Sequence, residues 1–256
     1  MQTHRKTLNN DQLTVLGLLY KFRFGSSDLI AEYFEKPKGV YMYKRLNILV
    51  DRGLVGKRHE ASYRLKGWPV AYYLTPDGYR VIQELYKEDS KVPLAYKSLR
   101  VSDEHMAHCL ALFKLYNTFK KQYGDNLKFF AKNDMGELDY LPAVKPDAYL
   151  ELNGVPFFLD FCSSGQVAAI RNKLRAYANW IDENEYDADF VTPVLLVVGA
   201  NEAIAKKASN VYQKSNLGRM TSVIFAHTSL SKLRGEYQAW QTIDEPEHVR
   251  SLVQLS

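Results

Sequence analysis

The chain has 256 residues, 46% apolar and 25% charged, the balance of an ordinary globular protein with room for two domains. Its two cysteines, Cys109 and Cys162, and the lack of CxxC, HExxH or GxxxxGK[ST] patterns exclude a disulfide framework, structural zinc and P-loop chemistry. Net charge is +5, unevenly spread: residues 1–98 hold 17 Lys+Arg against 10 Asp+Glu, and the remainder 17 against 19. A basic excess confined to one part points to phosphates as that part's partner.

No apolar run reaches the ~20 residues that cross a bilayer; the longest, Val194 to Ala200, is strand-length. The basic start, Met1 to Lys6, leads into no signal-like apolar region, so a cytoplasmic protein without a membrane partner is expected.

Leu8–Phe24 reads as a helix, opened by Asn9-Asn10-Asp11, with Leu13, Leu16, Leu19 and Tyr20 at helical spacing. Ser27 can cap a short second helix, Asp28–Phe34, and Lys36-Pro37-Lys38-Gly39 makes a turn. A third helix runs from Val40 to Asp51 and stops at Gly53. Tyr43, Leu46, Leu49 and Val50 share one of its faces; Tyr41, Lys44, Arg45 and Asn47 lie opposite. Leu54-Val55-Gly56-Lys57-Arg58, then Tyr63-Arg64-Leu65-Lys66, then Ala71 to Gly78 suggest a hairpin leading into another helix, with Tyr43, Tyr72 and Tyr73 as core residues.

Over residues 8–88 this order resembles the winged helix-turn-helix regulators. The resemblance implies that the third helix enters the major groove. Lys38, Tyr41, Lys44 and Arg45 would then face base edges, and Lys57, Arg58, Arg64 and Lys66 the backbone phosphates of double-stranded DNA.

Lys87 to Pro93 reads as a linker, dividing the chain into a DNA-binding domain at 1–92 and a second domain at 93–256. A helix begins at Ser102-Asp103-Glu104 with an apolar stripe of Met106, Leu110, Phe113, Leu115 and Phe119; His105 and His108 in its first turns read as structural. Strands follow at Leu127–Ala131, Pro142–Leu152 and Val155–Ser163, the last two joined by a tight turn at Asn153-Gly154. Then come a helix at Gly165–Asp182, a continuous apolar strand at Val191–Ala200, a helix at Asn201–Ser215 and a strand at Ser222–Ala226. That alternation implies an α/β layer fold with a mixed sheet, and α+β for the whole chain.

Asp147 and Asp160 lie thirteen residues apart across the tight turn, where antiparallel pairing can bring both carboxylates to one place. Such a pair can hold Mg²⁺ or Mn²⁺ through oxygen, and the ion can activate water against a phosphodiester. Pro146-Asp147 and Asp160 resemble the PD-(D/E)xK nucleases, with a departure: Cys162 stands where that family has its lysine. Lys173, with Tyr177 one turn further on, could supply the cation from the next helix, and Glu104 a third acid.

A winged helix, then Glu104-His105, Lys145 to Leu152, Phe157 to Cys162 and Lys173 to Tyr177 together are similar to the replication-relaxation family. That family includes MobC-type plasmid relaxases, which implies metal-dependent nicking at an origin of transfer. It also implies a coupling protein of the transfer machinery as a partner; single-stranded DNA at the nick and a homodimer are further candidate partners, with the oligomeric state left open. The alternative is a non-catalytic regulator of plasmid replication or transfer with a degenerate nuclease-like domain.

Overall fold

The computed structural model describes residues 8–60, 63, 67–86, 98, 100–163, 167–184, 186–187, 189–215, 217–220, 223–233 and 238–255. The chain is a mixed α/β protein of two compact units, Met1–Asn117 and Thr118–Ser256. The expected linker and its 92/93 junction lie outside the described residues. One helix, Asp103–Tyr123, begins in the first unit and ends in the second. No helix among the described residues is long and apolar enough to cross a membrane.

In the first unit, α1 (Asn10–Phe22) starts with a capping box between Asn9 and Gln12 and buries Leu16, Leu19 and Phe22. Helix α2 (Ser27–Tyr33) is capped by Ser26, one residue earlier than expected, whose hydroxyl accepts the Leu29 N–H. Helix α3 (Val40–Asp51) buries Met42, Leu46 and Leu49. Tyr43, expected in the core, is 44% exposed, because the i, i+4, i+7 row that meets the core starts at Met42 and turns the next residue outward.

Strands β1 (Val55–Arg58) and β2 (Ala71–Leu74) pair antiparallel, Val55 with Leu74 and Arg58 with Ala71. Tyr72 and Tyr73 are buried, as expected. Helix α4 (Pro76–Tyr86) follows, its start held by the Thr75 hydroxyl accepting the Gly78 N–H. A Cβ at Gly78 would lie 2.1 Å from the Leu54 carbonyl oxygen, so only glycine lets this helix approach the chain entering β1. Helix α5 (Asp103–Tyr123) buries Met106, Cys109 and Phe113 within its first-unit part.

The second unit is built on one seven-stranded sheet in simple chain order: β3 (Leu127–Ala131), β4 (Ala148–Leu152), β5 (Val155–Cys162), β6 (Val194–Gly199), β7 (Phe225–Ser229), β8 (Trp240–Thr242) and β9 (Val249–Arg250). Strands β5, β6 and β7 are parallel; every other neighbouring pair is antiparallel. Helices α6 (Val167–Asn184) and α7 (Glu202–Gln213) are the two crossovers, and a short α8 (Leu230–Leu233) follows β7. Ile170, Leu174, Tyr177 and Ile181 of α6 pack with Tyr212 of α7 on Phe158, Leu195, Val197 and Phe225 of the sheet. On the end of α5 in this unit, Phe119 stacks on Trp240 of β8 and meets Phe129 of β3.

Strand β4 starts at Ala148, six residues later than the expected Pro142. Pro142 and Pro146 have no N–H to give to a ladder, so the approach to the strand is irregular. Strand β7 runs three residues later than expected, and β8 and β9 were not foreseen.

Candidate active site

Asn153 and Gly154 both have positive φ, 53° and 82°, the signature of a two-residue type I′ turn. Such a turn fixes the register of its strands. Ala148 pairs with Leu159, so Asp147, one residue before β4, stands opposite Asp160 of β5. The two are also bonded: the Asp147 N–H donates to Asp160 Oδ1 at 3.2 Å, and the Phe161 N–H donates to Asp147 Oδ2 at 2.9 Å.

Helix α6 crosses above this pair. Lys173 Nζ donates to Asp147 Oδ1 at 2.9 Å and also to Asp160 Oδ1. One turn on, the Tyr177 hydroxyl donates to Asp160 Oδ2 at 2.9 Å. The structure therefore brings together Asp147, Asp160 and Lys173, three residues singled out by the sequence. Lysine and tyrosine at i, i+4 share a helical face, which is why both reach the same carboxylate.

The electrostatics follow from burial. Burial raises the Asp160 carboxyl above its usual range; Lys173 opposes that and the charge of Asp147 adds to it. For Lys173 burial works against the charged form, but the two carboxylates outweigh it and raise the ammonium, so the lysine stays protonated. Tyr177 is held as a neutral phenol, by burial first and then by the Asp160 charge. Burial and the two aspartates push the Cys162 thiol up to about 12. At neutral pH it is a thiol, neither the cation that a lysine would supply nor a thiolate nucleophile.

Glu104 lies in the first unit, exposed on the first turn of α5; the carboxylate cluster is made wholly of second-unit residues. Lys145, beside Pro146, turns away to donate to the Met135 carbonyl.

In the first unit, Lys38, Tyr41 and Lys44 are exposed on and just before α3, and Lys57 is exposed on β1. Arg45 is half-exposed, paired with Asp11 and 4.7 Å above the Tyr41 ring, so the two stack as one surface feature. Arg58 points inward: it donates to Asp103 Oδ1 at 2.8 Å and to the Val101 carbonyl at 2.7 Å. The Tyr63 hydroxyl donates to the same Asp103 oxygen at 2.8 Å. Arg64 and Lys66 lie outside the described residues. The roles of Asp103, Tyr63 and Asp11 as partners carried no signal in the sequence, since each pairing joins residues more than thirty positions apart.

No family model, no curated protein and no solved structure matches this chain.

Proposed function

We propose that the chain is a metal-dependent DNA nickase: the first unit grips duplex DNA as a winged helix-turn-helix, and the second, of PD-(D/E)xK type, cuts a phosphodiester. On this reading it acts at an origin of transfer, as a relaxase of the replication-relaxation kind. The observation that carries the reading is Asp147 facing Asp160 across neighbouring strands with Lys173 reaching both. Two acids held together on one lysine in a largely buried place offer oxygen ligands ready for a divalent cation.

The donor set suits a hard divalent ion, because carboxylate oxygens are what Mg²⁺ and Mn²⁺ take. Among the described residues no group of three or more His, Cys, Asp or Glu forms, so Asp147 and Asp160 would be the protein's ligands. Lys173 Nζ now stands between them and would have to move aside; its side chain is 30% exposed, which gives it a way out. When bound, the ion would lower the pKa of a water and neutralise charge growing on the phosphate. Lys173, charged and released from the acids, could then hold a phosphate oxygen, while Tyr177 keeps Asp160 in place. In the first unit the exposed Lys38, Tyr41, Lys44 and Lys57 support the DNA contact, and Arg58 is an internal anchor of the ribbon.

One observation favours a second reading. All four oxygens of the two carboxylates already accept hydrogen bonds from the protein. A non-catalytic DNA-binding regulator could keep such a cluster as an internal salt bridge.

Supercoiled plasmid carrying origin DNA separates the two. The nickase should give open circles with Mg²⁺ or Mn²⁺, none with EDTA, and none with Asp160→Ala. If wild type and variant both shift the DNA and neither cuts it, the regulator reading stands. Nicking that persists in EDTA sinks the metal site.

A further inference from the structure

Helices α6 and α7 leave a groove between them, a cavity of about 490 Å³. Arg171 and Arg175 line it from α6, Lys207 and Lys214 from α7, and among the described residues no Asp or Glu does. All four cations are exposed, and none forms an ion pair among the described residues. On a helix, Arg171 and Arg175 are one turn apart, while Lys173 points the opposite way. Helix α6 therefore carries one cation inward to the aspartates and two outward to the groove. The second unit as a whole is not basic, since residues 118–256 hold 15 Lys+Arg against 17 Asp+Glu. Four unpaired cations along one acid-free groove are a local concentration of charge, not a reflection of composition.

We propose that this groove is a binding surface for the sugar–phosphate backbone of a nucleic acid, separate from the aspartate pair. The charge is complementary, and the lining from Val167 to Asn179 extends about 18 Å along α6. That length matches about five nucleotides of rise along one strand. Among the described residues no aromatic side chain lines the groove to give a platform for base stacking. Binding is therefore read through phosphates and is indifferent to sequence. A flat lipid surface could not enter a concave groove between two helices. The inference holds whether or not the aspartates cleave DNA.

The test uses the full chain in EDTA, so that cleavage plays no part. A fluorescent random-sequence oligonucleotide, single- or double-stranded, is titrated by anisotropy across a salt series. Arg171→Ala/Arg175→Ala/Lys207→Ala/Lys214→Ala should bind at least tenfold more weakly. Its slope of log K against log salt should be shallower by about 3, as four lost phosphate contacts require. Arg171→Lys/Arg175→Lys, which keeps the charge, should retain the slope. An unchanged slope in the quadruple variant overturns the inference. So does an equal loss per charge in the control pair Lys121→Ala/Lys132→Ala. Wild type that binds poly-glutamate but no oligonucleotide also overturns it, in favour of an acidic peptide.

Discussion

Each unit contains a cation, an aspartate and a tyrosine hydroxyl joined in one cluster. In the first unit they are Arg58, Asp103 and Tyr63; in the second, Lys173, Asp160 and Tyr177. The difference is where the second acid stands. In the first cluster it is Glu60, 3.7 Å from Arg58 and 54% exposed, and the cluster ties the ribbon to the start of α5. In the second it is Asp147, 17% exposed and bonded to Asp160, whose carboxyl burial holds above the usual range. An acid out in water is screened by it. Two carboxylates held together and largely removed from water give a cation something to bind, and this makes the second cluster the candidate for chemistry.

Removing the cation from each cluster should break the comparison open. Lys173→Met takes the lysine from two facing carboxylates, a loss of about 3 kcal/mol for a buried pair deprived of one partner. In a thermal melt of a chain this size that is roughly 6–12 °C. Mn²⁺ should restore most of it, since a ligand at about 100 times its Kd adds about 2.7 kcal/mol. Arg58→Met leaves Asp103 still holding the Tyr63 hydroxyl and Glu60 out in water, so the loss should be smaller, about 1–3 kcal/mol. Mn²⁺ should do nothing for it. If the metal stabilises both variants or neither, a buried pair of acids is not what distinguishes the two clusters.

The part of this site that the sequence makes legible is the part fixed by local geometry. With a two-residue turn at Asn153-Gly154, residues equally distant from it must pair, and Asp147 and Asp160 are equally distant. Lys173 and Tyr177 are a helical i, i+4 pair, so once α6 lies on the sheet they travel together. What depends on long-range packing was not legible. Arg58 reads as a surface phosphate contact because nothing near it in the chain announces Asp103, forty-five residues on. The core face of α3 was misplaced by one residue, because Met42 and Tyr43 are both plausible core residues and only the packed unit chooses between them. Strands β8 and β9, three and two residues long, are too short to show an alternation.

The smallest expected effect on stability comes from making the second cluster resemble the first. Asp147→Asn keeps the shape of the side chain and removes the second buried charge. Its one amide oxygen can accept from Phe161 N–H or from Lys173, not both, so one hydrogen bond worth about 1 kcal/mol is lost. Against that, Asp160 is freed from a like charge that helps to raise its carboxyl. The two effects oppose each other, and the melting temperature should move by no more than a few degrees. Divalent ions should then no longer shift it, and plasmid nicking should be lost. A variant that unfolds as readily as Lys173→Met would make Asp147 a structural partner of the lysine, and the buried acid pair would have no function to explain.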